Sequence, residues 1–218
     1  MFTLAEENYL KNIFHLEEEI RDEISTNAIA ERMQTKASSA TDMIQKLAEK
    51  ELLEYKKYKG THLTSKGKKI AAQVIRKHRL WEVFLVEKLN FHWDEVHEIA
   101  EQLEHIQSDE LITKLDAFLD YPDFDPHGDP IPDKNGKMKV SEKKLLSELK
   151  KNQRGVCVGV KESSSEFLQY LDKRKIGIGS KIKVLGKEFF DGSMMIQVGK
   201  NQLFISKKIA NNLYINTL

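Results

Sequence analysis

All four prolines of this chain fall within one short segment, YPDFDPHGDPIPD, between Tyr121 and Asp133. Proline has no backbone N–H and its ring clashes with the preceding helical turn, so a helix cannot pass through this segment. Before it the sequence has helical periodicity, and after Arg154 it has short β-like runs punctuated by glycine, such as VCVGV and MMIQVG. This order predicts a mainly α chain with a small β part, in which a helical region precedes a C-terminal β-barrel.

Hydrophobic residues make up 40% of the 218 residues, which is enough for packed cores and excludes a wholly disordered protein. The single cysteine, Cys157, excludes a disulfide framework and a cysteine-rich zinc or iron–sulfur site within one chain. No apolar run approaches the roughly 18 residues that a membrane span needs, and the first residues are acidic and amphipathic rather than signal-like. We therefore expect a cytoplasmic protein without a membrane partner.

Charge is segregated along the chain, although the formal net charge is only +1. Nine basic residues and no acid lie between Tyr55 and Arg79, whereas nine acids and one base lie between Asp94 and Asp120. A solvated surface usually mixes the two signs. The two blocks indicate one anion-binding and one cation-binding surface, and the alternative is a polar surface on which charges cluster by chance.

Helical periodicity predicts helices over 3–19, 27–32 and about 38–50, with a tight polar break between the last two. A hairpin with a Lys-Gly tip follows, from Leu52 to Thr64. Helix, turn, helix and basic hairpin form a winged helix-turn-helix, whose second helix can enter the major groove of DNA while the hairpin lies over phosphates. An all-α protein that binds nothing is the alternative. The candidate DNA-contacting residues are Lys36, Ser38, Ser39, Asp42, Gln45, Lys46, Lys56, Lys57 and Lys59.

Two groups of histidines and acids have the spacing of metal ligands. A helix predicted from about Trp93 to Gln107 carries His97, Glu101, Glu104 and His105 within an arc of roughly 100°. The preceding helix, predicted over about 66–88, carries His78 and Glu82 one turn apart. Imidazole and carboxylate without thiolate suit Mn²⁺, Fe²⁺, Co²⁺, Ni²⁺ or Zn²⁺. Ordinary surface pairs or a structural acidic stripe are the alternatives.

The chain resembles the diphtheria-toxin-repressor and manganese-regulator family of metal-dependent transcription regulators. The stretches that carry the resemblance cover about residues 3–133 and include EENYLKNIFHLEEE, IAERMQTKASSATDMIQKLAEKELL, YKKYKGTHLTSKGKKIA, RKHRLWEVFL, WDEVHEIAEQLEHIQSDEL and PHGDPIP. The tail, with GIGSKIKVLGKE and QLFISKKIANNLYI, is similar to the SH3-like, FeoA-type domain of longer members. The resemblance implies a winged helix-turn-helix domain over 1–65, a helical metal-binding and dimerisation domain over 66–133, a linker over 134–151 and an SH3-like domain over 152–218.

The resemblance also implies two ligand sets. The primary metal site would use Asn8, Glu101, Glu104 and His105, and the second site would use His78, Glu82, His97 and Glu166. Asp125 stands where some relatives add a ligand, and Ser163 stands where some have a carboxylate. Iron-type members have a thiolate at the position of Glu101, so Glu101 favours Mn²⁺. Manganese-type members have Asp at the position of Asn8, which keeps Fe²⁺ as the alternative, and other divalent metals are expected to substitute in vitro.

Lys11 replaces an acidic residue that some relatives carry, which argues against a pair of manganese ions there.

The implied function is a homodimeric, metal-dependent repressor of metal-uptake genes that binds a pseudo-palindromic operator in double-stranded DNA. A winged-helix regulator that is not gated by metal is one alternative. A metalloenzyme that activates water with the His and Glu cluster is another, but it leaves the basic hairpin unexplained, so we expect no enzyme.

Overall fold

The computed structural model describes residues 2–20, 23–56, 60–139 and 142–217. The chain forms two compact units that interleave along the sequence. Unit 1 comprises residues 1–78, 101–112 and 132–138, and unit 2 comprises residues 79–100, 113–131 and 139–218.

Unit 1 begins with helices α1 (Leu4–Glu19), α2 (Thr26–Arg32) and α3 (Ala37–Glu49). Thr3 and Glu6 form a capping box at the start of α1, and the Ser25 hydroxyl caps α2. A tight turn separates α2 from α3, in which the Thr35 N–H donates to the Ala30 carbonyl and Gln34 has a φ of 50°. These elements confirm the predicted helix-turn-helix, with helix ends that differ from the expected ones by at most one residue.

The hairpin after α3 consists of β1 (Leu53–Lys56) and β2 (Gly60–Leu63), which pair antiparallel from Leu53 opposite Leu63. Ile24 forms a further bridge to Thr61, so the chain before α2 extends the hairpin into a small sheet. Gly60 has a φ of 90°, and a Cβ there would lie 2.5 Å from the Cβ of Glu23, so this close approach needs glycine. The predicted tip residues Lys57 and Lys59 lie outside the described residues.

Three further helices follow: α4 (Ser65–Leu89), α5 (His97–Leu103) and α6 (Asp109–Phe118). The predicted helix from Trp93 to Gln107 is wrong at both ends. At its start, the Trp93 carbonyl accepts a hydrogen bond from the His127 ring, and the Trp93 indole N–H donates to Asp172. These contacts keep Trp93 out of the helix. At its end, the Ile106 N–H donates to the Leu103 carbonyl, so residues 104 and 105 lie in a turn.

Unit 2 contains a six-stranded antiparallel sheet in the order β3-β8-β4-β5-β6-β7. Its strands are β3 (Lys144–Leu145), β4 (Arg154–Val160), β5 (Lys181–Lys187), β6 (Met194–Val198), β7 (Asn201–Ile205) and β8 (Leu213–Thr217), with helices α7 (Ser165–Lys173) and α8 (Lys207–Ala210) between them. Alternate strand residues such as Ile182, Val184 and Ile196 are buried and form the core with α7. The mainly α fold class with a small β part is confirmed, but the sheet is open, since β3 and β7 are its edges.

The segment 134–151 differs from the expected linker. Residues 144–145 form β3, and a single 3₁₀ turn (Leu146–Glu148) follows. Leu146 and Leu149 are buried in the core of the sheet, so residues 144–149 pack with the sheet. In the part of the chain that the structure describes, no helix is long and apolar enough to cross a membrane.

Candidate metal centres and DNA-contacting surface

The first candidate metal centre lies within unit 1, where α1 and the middle of α4 meet the end of α5 and the turn that follows it. We call it the first cluster, and its side chains are Glu7, Lys11, His78, Glu101, Glu104 and His105. Glu7 and Glu104 are buried carboxylates, which in a protein interior require partners.

Glu7 connects α1 to the segment after α5. Nδ1 of His105 lies 2.6 Å from Oε2 of Glu7, and the side-chain amide of Gln107 donates to Oε1 at 2.8 Å. The end of α5 at Leu103 makes these contacts possible, because the following turn brings both side chains to α1. The two parts of unit 1 are therefore joined by a carboxylate with imidazole and amide partners.

Glu104 is the most buried acid of the first cluster, with a side chain that is 0% exposed. His78 Nδ1 lies 2.6 Å from Oε2, and Lys11 Nζ lies 2.9 Å from the same oxygen. Burial acts to raise the pKa of Glu104, but the His78 hydrogen bond and the Lys11 charge outweigh it and lower that pKa below its ordinary value. The carboxylate is thus ionised and able to act as a ligand.

The donor atoms of the first cluster are of the kinds that a divalent transition metal accepts. Oε1 of Glu104 is buried and has no hydrogen-bond partner among the described residues, although Lys11 Nζ makes an ion pair with it at 2.7 Å. Nε2 of His105 lies 3.7 Å from this oxygen. Carboxylate oxygens and imidazole nitrogens without thiolate are the donors that Mn²⁺ and Fe²⁺ accept.

On α1, Glu7 contacts His105 of the first cluster. Its neighbour Asn8 is half-buried, and the backbone carbonyl of Asn8 accepts a hydrogen bond from the Asn12 side chain. Successive residues of a helix are rotated by about 100°, so they face different neighbours. Glu101 lies at the exposed margin, with Oε1 3.5 Å from Lys11 Nζ.

A second cluster lies within unit 2 and consists of Glu82, Asp125 and His127, all of them buried. One ligand atom from each lies within 4.8 Å of those of the other two, which is close enough for a single ion. Asp125 belongs to a tight loop in which its Oδ1 accepts from the N–H groups of His127 and Asp129. The loop rests on β4, since the Val160 N–H donates to the His127 carbonyl.

The ring orientation of His127 suits a metal ligand. Its Nε2 lies 2.8 Å from the Trp93 carbonyl, which can only accept, so Nε2 carries the hydrogen. Nδ1 therefore faces Glu82 Oε2, at 3.6 Å. A backbone carbonyl that fixes the tautomer in this way is the usual support of a metal-binding histidine.

The charged groups of the second cluster shift one another's pKa values. Burial, with the nearby Glu82 and Asp129 charges, raises the pKa of Asp125 to about 7, although Arg79 acts in the opposite direction. Burial acts to lower the pKa of His127, but Glu82 and Asp125 outweigh it and raise that pKa to about 9. A proton therefore occupies His127 at neutral pH, and a cation has to displace it.

The predicted second set of ligands consists of His78, Glu82, His97 and Glu166. His97 is close to Glu82, with Nδ1 3.5 Å from Oε1, whereas His78 belongs to unit 1 and contacts Glu104. Glu166 is exposed in the first turn of α7; its neighbour Ser165 donates to the Asp94 carbonyl. Ser163 is also exposed.

The predicted DNA-contacting residues of the second helix lie on one exposed side of α3. Ala40, Ile44 and Leu47 bury the opposite side in the core of unit 1. Lys46 also pairs with the buried Glu6 at 2.9 Å. The exposed residues are Lys36, Ser38, Ser39, Asp42 and Gln45 together with Lys46, and Lys56 is exposed at the end of β1.

Sequence reasoning missed Glu7 and His127 as candidate ligands. Glu7 and Asn8 are neighbours on α1. Hydrophobic periodicity does not identify a buried acid such as Glu7, because Glu6 and Glu7 are both buried although they are charged. His127 lies in the proline-rich loop, where no periodic pattern exists, although the stretch PHGDPIP carries part of the family resemblance. The signal that was available is its sequence neighbour Asp125.

Family models match nearly the whole chain. The model described as iron dependent repressor, N-terminal DNA binding domain, matches residues 1–61. The model described as iron dependent repressor, metal binding and dimerisation domain, matches residues 64–133. The model described as FeoA domain matches residues 144–217.

Curated transcriptional regulators are among the relatives that are similar to this chain. The iron-dependent repressor IdeR of Mycobacterium leprae is 35% identical over 126 residues, which cover 58% of this chain and 54% of the relative. The HTH-type transcriptional regulator MntR of Oceanobacillus iheyensis is 36% identical over 121 residues, which cover 56% of this chain and 81% of the relative.

A structure described as a manganese-dependent transcriptional repressor in complex with manganese has a TM-score of 0.88 and 33% identity, and the match covers 98% of this chain and 100% of that one. The chain spans 31% and 54% of the lengths of the first curated relatives.

Proposed function

Because the chain belongs to the iron-dependent repressor family, we propose that it is a metal-dependent DNA-binding regulator that represses metal-uptake genes. The observation that carries the proposal is the contact of Glu7 on α1 with His105 and Gln107. Residues 1–61 match the DNA-binding model and residues 64–133 match the metal-binding one, so this contact joins the two functions within unit 1.

The proposed mechanism is electrostatic. Glu7, Glu101 and Glu104 repel one another, and a bound divalent ion supplies the positive charge that neutralises them. Glu7, Glu104 and His105 would then hold α1 against the segment 101–107. The helices α1, α2 and α3 share one hydrophobic core with the hairpin, so the position of α1 affects the whole winged helix. A 100-fold gain in DNA affinity needs a coupling free energy of roughly 2.7 kcal/mol, and DNA must tighten ion binding by the same factor.

We assign Mn²⁺ as the ion, with Fe²⁺ as the alternative. In the first cluster we assign Glu7, Glu101, Glu104 and His105 as ligands, with His78 beside them, and Asn8 stays a prediction from the resemblance. In the second cluster we assign Glu82, Asp125 and His127, with His97 at its edge and Glu166 as a predicted addition. The all-oxygen-and-nitrogen donor sets support these ions.

We propose that the DNA-bound form is a homodimer whose two α3 helices occupy successive major grooves of a pseudo-palindromic operator. The exposed polar side of α3 supports this orientation, because its short donors and acceptors suit base edges. Lys56 at the end of β1 would contact phosphate, which supplies affinity rather than sequence preference.

The test is a titration of DNA affinity against Mn²⁺ and Fe²⁺ under anaerobic conditions, with operators selected from random duplexes. We expect affinity to rise at least 100-fold with metal in the wild-type chain and to stay at the chelated level in Glu104→Gln. Equal DNA binding in the presence of EDTA would favour a winged-helix regulator that is not gated by metal. Metal-dependent hydrolysis without DNA affinity would contradict the proposal altogether.

A further inference from the structure

One charged side chain of the first cluster is not a ligand. Lys11 projects from α1 one turn after Glu7, and its side chain is only 8% exposed. Its ammonium nitrogen lies 2.7 Å and 2.9 Å from the two oxygens of Glu104 and 3.5 Å from Oε1 of Glu101. An ammonium has three hydrogens and no lone pair, so it can only neutralise these carboxylates.

The Lys11 ammonium lies against both carboxylate oxygens of Glu104, which are the atoms that a metal ion would bind. Oε2 of Glu104 is shared by His78 and Lys11, and Oε1 has Lys11 as its nearest charged neighbour. A divalent ion that binds Glu104 therefore has to displace the ammonium or remain beside a like charge. Binding at this carboxylate is an exchange of one cation for another.

We propose that Lys11 acts as a resident cation that lowers the affinity of the first cluster for divalent ions and so sets the concentration at which they bind. This inference rests on the proposed function, since it concerns the same cluster. Lys11 also keeps the buried Glu104 paired when no ion is bound. A chelator cannot remove it, because it is covalently part of α1.

The experiment compares neutral substitutions of Lys11 with the wild-type full-length chain. Lys11→Met and Lys11→Gln both remove the charge, and Lys11→Arg keeps it. Binding of Mn²⁺ is followed by electron paramagnetic resonance of the free ion, and Glu104→Gln identifies the binding class that belongs to the first cluster. We expect this class to bind at least tenfold more tightly in both neutral variants and to be unchanged in Lys11→Arg.

Lys50→Met is the matched control. Lys50 also pairs with a buried acid of α1, since its Nζ lies 2.6 Å from Oε1 of Glu6, but it lies outside the first cluster. We expect its Mn²⁺ affinity to equal that of the wild type. Thermal unfolding in EDTA gives a second readout, in which the neutral variants of Lys11 melt at a lower temperature and gain more from added Mn²⁺.

The two possible failures are distinct. If the wild type has a Glu104-dependent Mn²⁺ class and both neutral variants bind with wild-type affinity, the role of Lys11 is wrong and the proposed function stands. If the wild type has no such class, the proposed function and the role of Lys11 are both overturned. If Lys11→Met does not fold, Lys11→Gln against Lys11→Arg decides the question alone.

Discussion

Glu7 and Asn8 are adjacent residues of α1 with different surroundings, and this difference can be measured. Glu7→Gln removes the carboxylate charge that contacts His105, so we expect Mn²⁺ affinity to fall at least about tenfold. Asn8→Ala is the comparison variant, and we expect it to lose less Mn²⁺ affinity than Glu7→Gln, because the amide that it removes carries no charge. Electron paramagnetic resonance titration measures both. A larger loss in Asn8→Ala than in Glu7→Gln would restore the ligand that the resemblance implied.

His127 makes the stability of the metal-free protein depend on pH. Its pKa is raised from 6.5 to about 9, so its contribution is fully present below pH 6.5 and is lost as pH rises to 9. Asp125, with a pKa raised to about 7, acts in the same direction at lower pH. We expect the free energy of unfolding to fall by about 3 kcal/mol between pH 6.5 and 9 because of His127.

Urea unfolding in EDTA at a series of pH values measures this dependence. His127→Asn cannot change charge, so its free energy of unfolding should vary much less over the same interval. The groups around His127 that share the effect are Glu82, Asp125 and Arg79. A wild-type stability that stays constant or rises between pH 6.5 and 9 would contradict the assigned protonation of the second cluster.

At the scale of single elements, the loop that carries Asp125 and His127 depends on one glycine. Gly128 has a φ of 84°, and a Cβ there would lie 2.0 Å from the Val158 carbonyl oxygen of β4. We expect Gly128→Ala to lower the free energy of unfolding by at least about 2 kcal/mol, because backbone must move. Gly177→Ala is the control, since no atom lies within 4 Å of its added Cβ, and should change stability by less than about 0.5 kcal/mol.

The helix α3 and the strand β1 are expected to contribute to DNA binding in different ways. Lys56→Ala should weaken binding to all sequences and reduce the slope of log affinity against log salt by about one. Gln45→Ala should reduce the preference for the selected operator over random DNA while leaving that slope unchanged. Fluorescence anisotropy at several salt concentrations separates the two effects. Lys173→Ala on α7 serves as a control, and an equal loss there would show a general effect of charge.

The sequence predicted the helices and strands better than it predicted where helices end and which side chains meet in the two clusters. Hydrophobic periodicity and composition predicted α1 to α3 and the strands of the sheet. Buried residues such as Ile44 in α3 and Ile182 in β5 recur with the period of a helix or of a strand. The short α5 was not predictable, since His127 and Asp172 hold its start from distant parts of the sequence. For the same reason Glu104 and His105 were expected on a helix and lie in a turn.

At the scale of the whole molecule, exposed aromatic residues are predicted to form the dimer interface. Phe118 and Tyr121 are 63% and 66% exposed, and both lie in the stretch that matches the metal-binding and dimerisation model. We expect Phe118→Glu to shift the metal-bound protein to a monomer in sedimentation velocity, because a charge cannot be buried unpaired. Phe204→Glu, on the similarly exposed Phe204 of β7, should remain a dimer. A wild type that sediments as a monomer with metal and operator would refute the dimer.

The stacking of Trp93 on His127 has an optical consequence. The two rings are nearly parallel, with centroids 6.0 Å apart, and the chain has only one other tryptophan, Trp81. Mn²⁺ and Fe²⁺ are paramagnetic and quench nearby indole emission, so arrival of either ion at the second cluster should dim Trp93. The protein thus carries its own fluorophore for following occupancy of this cluster, without a label and while DNA is present.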